Sequence, residues 1–360
     1  MTFYDLLEGA TFVSLRIDTD ACAVHASVNG EPEALLGTFP SREALCDGYP
    51  ALWREVVESH GGEDAFATWS GEPAAPLDLR AALAREVRRA AARAAADDSA
   101  WEARLAAVRA VLAGYDDSKA ALQRLPKRLR RYVDLSPQGL IASFEPVIAV
   151  ERVKEPVPLG ASKVGGHPHL PKGFEWPRIE GEPTYLLVQL ALAEVAACDV
   201  TGRTPTAGML YAFVTETGRG LIVHTTEVAS LAPHAPAFEA PDYMKSMLDE
   251  ARLRFVPSFY FLQTSDTNGP RAVAEALGQP MLDRLADALG VPPGPPCDAY
   301  AGDRLFGGDP VDWSGMGGSH LGQPLLAQLS FGDGHQSIGV HPDDLRIGVF
   351  VDAVCRYCGT

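Results

Sequence analysis

The residue composition of the chain and the length of its apolar stretches change after Asp134, and the prediction of the fold depends chiefly on this change. Before that point Ala and Arg are frequent. After it Pro, Gly and aromatic residues become more common, and the apolar stretches shorten to the length of strands. At 360 residues the chain is also longer than a usual single domain. We therefore predict an α+β protein with a smaller mixed N-terminal region, residues 1–134, that ends in helices, and a β-rich C-terminal domain, residues 135–360.

The N-terminal region begins with strand patterns. Apolar and polar residues alternate over 11–18 and again over 22–28, and the favoured turn pair Asn29-Gly30 follows. This pattern predicts a hairpin. Ser41 is expected to start an amphipathic helix that continues over 45–57, and a short strand is expected over 65–69.

Three further helices are expected before the change of composition at Asp134. Their start signals are Asp78, the capping box Ser99-x-x-Glu102, and Ser118. Pro126 is expected to interrupt or restart the last of them.

A weak internal repeat marks the C-terminal region. Segment 181–190 is similar to segment 322–329, because in each a Gly and Pro turn leads into an apolar strand that holds one glutamine, Gln189 or Gln328. A Gly-Gly pair precedes each copy. The repeat favours internal duplication of a β-rich unit, and chance similarity of two such strand entries stays open as the alternative.

Charge and cysteine content limit the classes of function. The formal net charge of −16 argues against general affinity for nucleic acid, since binding a polyanion depends on Lys and Arg. Residues 80–131 carry a local charge of +7, which indicates either solvated helix faces or a docking surface for an acidic partner or for the acidic C-terminal domain itself. The sequence contains no run of eighteen apolar residues, so no membrane span is predicted. Asp5 and Glu8 do not fit a secretory signal, and the six scattered cysteines are typical of reduced thiols, so we expect a cytoplasmic protein.

Three stretches of the C-terminal region have the order and spacing of a known family. They are Ser162 to Pro177 with the following strand to Leu190, Thr206 to Phe213, and Leu321 to Phe350 with its Gly332-Asp333-Gly334 turn. Together they resemble the YwqG-like family of bacterial proteins over residues 135–360. The resemblance implies an α+β fold with internal duplication and provides no established catalytic residues. Some relatives lie near bacterial toxin systems, so it also suggests a toxin-neutralising or partner-binding role.

The candidate binding residues lie in the Gly-Pro-rich stretch and in the repeated strands. Gly165 and Gly166 allow positive φ or close backbone approach, and the prolines after them fix an extended path. Such a stretch frames a ligand cleft or forms a rigid loop over the sheet. An unpaired amide inside an apolar strand would cost about 1–3 kcal/mol, so Gln189 and Gln328 must pair with loop backbone or with a ligand. The full candidate set is Gly165, Gly166, His167, Trp176, Gln189, Gln328, Asp333 and His335.

Signals for catalysis, metals and cofactors are weak. No phosphate-binding glycine loop of either familiar kind is present. His167, His169, His335, His341 and Cys355-x-x-Cys358 are suitable zinc ligands by type, but a second pair at matching spacing is lacking. Asp312 and Asp333 are the nearest approach to a carboxylate pair, and nothing in the sequence fixes the distance between them. We therefore predict no cofactor and no metal and assign no catalytic residue.

Two functions follow from these observations. The first is a non-catalytic protein-binding module whose acidic surface favours a basic partner, with no nucleic-acid or membrane partner and with its oligomeric state undetermined. The alternative is a small-molecule-binding protein or metal-dependent enzyme that uses the Gly165 loop with Asp333 and His335.

Overall fold

A computed structural model of the chain describes residues 1–7, 12–62, 66, 75–236, 240, 249–261, 269–293, 303–306, 325–331, 334–351 and 353–359. These residues form an α+β architecture with a β-rich region, which confirms the predicted fold class. The contacts divide the chain into two compact units, Met1–Ala91 and Ala92–Thr360.

The first unit packs one helix on an antiparallel sheet. The sheet has the order β1-β2-β3-β4. Its strands are β1 (Thr2–Leu7), β2 (Val13–Asp18), β3 (Ala23–Val28) and β4 (Ala34–Thr38). The predicted hairpin is confirmed as β2 and β3, and Asn29 and Gly30 turn the chain with φ of 50° and 79°. The predicted strand over 65–69 lies outside the described residues except for Phe66.

The first helix, α1 (Arg42–Ser59), begins where the sequence predicts. The Ser41 side chain accepts a hydrogen bond from the Ala44 amide, which satisfies one of the free N–H groups of the first turn. Tyr49 and Trp53 from this helix are buried against β2 in one apolar core. The next helix, α2 (Leu79–Ala95), contains the division between the two units.

Within the described ranges, the second unit holds the other helices. They are α3 (Ser99–Ala113), α4 (Ser118–Arg124), α5 (Pro137–Ser143), α6 (Leu192–Ala196), α7 (Gly269–Leu277), α8 (Gln279–Leu289) and α9 (Pro342–Arg346). Ser99 is the first helical residue and Asp98 takes the cap position, so the predicted capping box does not form. Among the described helices, none combines the length and the apolarity needed to cross a bilayer.

The helices of the second unit share a core that the sequence pattern did not anticipate. Residues of α3, α4 and α5 are buried in one cluster with α7, α8 and the phenylalanines at the ends of two strands, Phe144 and Phe259. The residue composition changes after Asp134, whereas the compact units divide at Ala91. The apolar faces of α3 and α4 pack in this cluster, so these helices belong to the second unit.

An extended antiparallel sheet forms the rest of the second unit. Its strand order is β11-β10-β9-β6-β13-β5-β14-β15-β16-β17, with β8 added beside β9, and β7 pairs with β12 in a separate ladder. The strands are β5 (Phe144–Val153), β6 (Lys163–Val164), β7 (His169–Pro171), β8 (Arg178–Ile179), β9 (Glu182–Ala191), β10 (Met209–Thr215), β11 (Gly220–Thr225), β12 (Leu231–Pro233), β13 (Ala251–Phe261), β14 (Asp303–Leu305), β15 (Leu325–Phe331), β16 (Gly334–Gly339) and β17 (Val354–Gly359).

The sheet curls, so that its two end strands approach each other. A Cβ on Gly220 of β11 would come within 2.7 Å of the carbonyl oxygen of Cys355 in β17, which leaves room only for glycine. The inner face holds one apolar core with residues from both ends of the sheet, including Leu190 of β9 and Leu329 of β15.

Candidate functional site

Three buried polar side chains lie side by side on the first half of the sheet. The register pairs Lys163 of β6 with Gln189 of β9, and Gln189 with Tyr211 of β10. Directly opposite residues of antiparallel strands point to the same face of the sheet. All three residues are fully buried, and we refer to them as the Lys163 row.

Gln189 ties the Gly-Pro-rich loop to the sheet. Its Oε1 accepts a hydrogen bond of 2.7 Å from the His169 amide, and its Nε2 donates one of 2.8 Å to the Ala161 carbonyl. Both partners are backbone groups of the loop, which is the pairing expected for a buried amide. Gln189 therefore connects both sides of the Gly165 turn to β9.

The ammonium group of Lys163 is buried, and its hydrogen-bond partners are a carbonyl of the same loop and one carboxylate. Its Nζ donates to Glu250 Oε2 at 2.7 Å and also to the His167 carbonyl. The Glu250 side chain is 45% exposed, so the ion pair joins a fully buried ammonium to a partly hydrated carboxylate. Gly166 has φ of 66°, and a Cβ there would overlap Glu250. Glycine at 166 therefore allows the carboxylate to reach Lys163.

His169 is held in its neutral form in this loop. Its Nδ1 lies 3.0 Å from the Gly160 amide and 3.1 Å from Gln189 Nε2, and two donors at this atom place the ring proton on Nε2. Burial lowers the pKa of His169, the charge of Lys163 lowers it further, and Glu250 opposes the shift. The Tyr211 hydroxyl donates to the His169 carbonyl, and burial raises the pKa of that phenol.

A surface cavity of 380 Å³ opens beside the Lys163 row. It is lined by Gly166, His167, Trp176, Tyr185, Leu186, Pro236, Ala240 and Asp249. Trp176 is fixed there, since its Nε1 donates to the Thr184 carbonyl at 2.9 Å and its ring packs edge-on against Phe213. Asp249 is exposed and has a free approach from solvent. The cavity thus combines aromatic rings with a carboxylate.

The predicted candidates on the first half of the sheet are brought together. Gly166, His167 and Trp176 line the cavity, and Gln189 lies beneath the same loop. The Gly165 amide is not available to a ligand, because it donates to the Leu187 carbonyl at 2.9 Å.

The other candidates lie elsewhere or outside the described residues. Gln328 lies on β15, which four strands separate from β9 in the sheet order, so it does not join the Gly165 loop. Asp333 lies outside the described residues. His335 takes part in β16 opposite Ser330, and its side chain is outside the described part of the structure.

A second row on the far half of the sheet has a similar composition. The register pairs Arg304 of β14 with Gln328 of β15, and Gln328 with Ser337 of β16. These three residues are at most 1% exposed, and we refer to them as the Arg304 row. Within the described ranges, the three guanidinium nitrogens, both amide atoms of Gln328 and the Ser337 hydroxyl have no hydrogen-bond partner.

The cysteine pair at the end of the chain is described only in part. Cys355 is a buried thiol beside Gln336 Nε2 at 3.0 Å, and burial raises its pKa to about 12. The side chain of Cys358 is outside the described part. Nowhere in the described ranges do three His, Cys, Asp or Glu side chains gather as a metal site would require.

Sequence reasoning missed the two buried cations. Lys163 lies between Ser162 and Val164, and a lone charge between small or apolar residues is a signal of a buried partner. Arg304 follows Asp303, so its segment gives no such signal. Glu250 and Asp249 could not be found from the sequence, because they reach the loop from the start of β13, far along the chain.

Part of the chain matches a described family. Residues 162–255 match the model of a domain of unknown function, DUF1963. The DUF1963 match includes the Lys163 row and the cavity and ends before the Arg304 row. None of the curated proteins matches the chain.

Proposed function

We propose that the chain is a non-catalytic protein-binding module, and that the cavity beside Gly166 receives a basic side chain of its partner. The observation that carries this proposal is the lining, in which Trp176 and Tyr185 share a cavity with Asp249. A Lys or Arg side chain is attracted to the face of an aromatic ring, and a carboxylate at the same place adds a charge-assisted hydrogen bond.

The charge of the protein supports a basic partner. The formal net charge is −16, although residues 80–131 contribute +7, so the rest of the chain is strongly acidic. Opposite charge speeds the encounter of two proteins and makes association sensitive to salt. An acidic protein with an aromatic cavity therefore suits a partner that presents an exposed Arg or Lys.

Short peptides of one charge provide the first test. Tetra-arginine and tetra-lysine are titrated into the full chain by isothermal titration calorimetry, with tetra-glutamate as the control. We expect saturable binding of the basic peptides with one site per chain, weakened as salt rises, and no binding of tetra-glutamate. Absence of binding by both basic peptides would contradict the proposal.

A matched pair of variants separates the cavity from general charge attraction. Asp249→Asn removes the carboxylate of the cavity, and Asp287→Asn removes one near the end of α8. We expect Asp249→Asn to weaken tetra-arginine binding about fivefold, the range for a solvent-exposed ion pair, and Asp287→Asn to leave it unchanged. An equal loss in both variants would show that only the overall charge matters.

Several finer assignments belong to the same proposal. We propose that the YwqG-like resemblance extends over residues 135–360, which the quoted motifs support. We also propose that the protein acts in a bacterial cytoplasm, which is supported by the free thiols Cys22, Cys46, Cys198 and Cys355. Internal duplication is supported by the common Gln position in the two rows. A basic toxin is the partner class that the resemblance suggests.

A further inference from the structure

We propose that the Arg304 row is a binding site for a small oxyanion, a carboxylate or a phosphate group. The three members come from adjacent strands, Arg304 opposite Gln328 and Gln328 opposite Ser337, so their side chains share one face of the sheet. This face is the one opposite the apolar core that Ala327 and Leu329 enter. The site lies outside the DUF1963 match and is independent of the cavity beside Gly166.

The burial of Arg304 is the main reason to expect a ligand. Its guanidinium is fully buried, and none of its three nitrogens has a hydrogen-bond partner in the described part of the chain. The ring of Tyr260 lies 5.7 Å from the guanidinium carbon and can offset charge only across one face of the group. The N–H groups in the guanidinium plane still need acceptors, because a buried charge without them is strongly unfavourable.

The nearest carboxylate along the chain is already engaged. Asp303 accepts from Arg152 Nε at 2.6 Å and from the Ser330 amide at 2.6 Å. Successive residues of a strand point to opposite faces, so the Asp303 carboxylate is directed away from the Arg304 guanidinium. Asp303 therefore does not neutralise Arg304.

The composition of the row defines the ligand. Arg304 offers a planar fork of donors, which matches the two oxygens of a carboxylate or phosphate. Gln328 Nε2 and the Ser337 hydroxyl add two further donors on the same side, and both are buried without a described partner. Gln328 Oε1 is left to accept from a hydroxyl group of the ligand. A hydroxy acid or a phosphate that keeps one proton meets all of these requirements.

Calorimetry with two anions tests the site. The full chain, dialysed free of both anions, is titrated separately with sodium phosphate and sodium lactate, at a constant ionic strength set with sodium chloride. We expect one of them to bind with one site per chain, and which one binds distinguishes a phosphate ligand from a hydroxy-carboxylate ligand. Failure of both to bind overturns the proposal.

Variants show whether the binding belongs to this row. Arg304→Met should abolish binding. Ser337→Ala should weaken it about tenfold, as expected for one lost hydrogen bond to a charged group. Arg271→Met, on the exposed face of α7, is the matched control that leaves binding unchanged. Retention of binding in Arg304→Met overturns the proposal.

The stability of the anion-free protein gives an independent readout. Arg304→Met should raise the melting temperature, because it removes a buried charge that the chain leaves without acceptors. A lower melting temperature would mean that the chain itself supplies a carboxylate to Arg304, and it would overturn the proposal even if phosphate binds elsewhere. If Arg304→Met does not fold, Gln328→Leu takes its place, with loss of anion binding as the expected result and unchanged binding as the opposing one.

Discussion

The Lys163 row and the Arg304 row place the same two kinds of side chain in the same relation. Each sets a fully buried cation opposite a fully buried glutamine on the next antiparallel strand. In the first row, the Gly-Pro-rich loop returns over the strands and provides carbonyl and amide partners, and Glu250 provides the counter-charge. In the second row, the described residues provide no such partners.

The two rows show that a buried polar pair in a sheet does not by itself indicate a binding site. What decides its role is whether the chain itself saturates the donors and acceptors. By this criterion the Lys163 row holds a loop in place, and the Arg304 row is available to a ligand.

Substitution of the two glutamines should separate the two rows most strongly. Gln189→Leu leaves the His169 amide and the Ala161 carbonyl without partners, and we expect it to lower the free energy of unfolding by about 3 kcal/mol. Gln328→Leu should change it by less than about 1 kcal/mol or raise it, because an amide without partners is replaced by an apolar group of similar size.

Urea denaturation of the two variants measures this difference. Hydrogen exchange of the His169 amide adds a local readout, since this amide should lose protection in Gln189→Leu alone. Equal destabilisation by both substitutions would remove the distinction between the rows.

A smaller effect is expected from the glycine beside the ion pair. Gly166→Ala introduces a Cβ that overlaps Glu250 at a residue with φ of 66°, whereas Gly173→Ala meets no atom within 4 Å at a φ of 82°. Both variants bear the cost of a left-handed conformation, about 1 kcal/mol. We expect Gly166→Ala to lose about 1 kcal/mol more, because Glu250 must move away from Lys163. Thermal unfolding of the pair isolates this close approach, and identical losses would show that it contributes nothing.

The smallest effect is a dependence of stability on pH that arises in the Lys163 row. The pKa of His169 is lowered from its ordinary value of 6.5, so below pH 6.5 the unfolded chain takes up a proton that the folded loop does not. The free energy of unfolding should therefore decrease as the pH falls below 6.5 and stay unaffected by this group above it.

The comparison with His169→Asn isolates this contribution. Asparagine can keep an acceptor near the Gly160 amide, and the half-buried His224, whose pKa is also lowered by burial, is present in both proteins. We expect the wild-type protein to lose more stability than the variant between pH 7 and pH 5. Parallel curves would contradict the neutral assignment of His169.

Local features of the fold could be read from the sequence. The helix that begins after Ser41, the hairpin ending at Asn29-Gly30, and the attachment of Gln189 to its loop follow from capping, turn chemistry and the cost of an unpaired amide. In each case the groups that determine the outcome lie close together in the chain or belong to one residue.

Features that depend on distant pairing could not be read in this way. The apolar face of α3 is visible in the sequence, but its packing in a core with α8 is not. Strands β6 and β14 have two and three residues, too few for a periodic pattern, so the burial of Lys163 and Arg304 became evident only from the sheet. The separation of Gln328 from the Gly165 loop is likewise set by the strand order, in which β9 and β15 have four strands between them.

The most direct test of the account is the sign of the change in melting temperature for two matched substitutions, Lys163→Met and Arg304→Met, in protein free of added anions. Lys163 has Glu250 and the His167 carbonyl as partners, so its removal should lower the melting temperature. Arg304 has no described hydrogen-bond partner, so its removal should raise the melting temperature. A fall in both variants would contradict the claim that the chain saturates one row and leaves the other to a ligand.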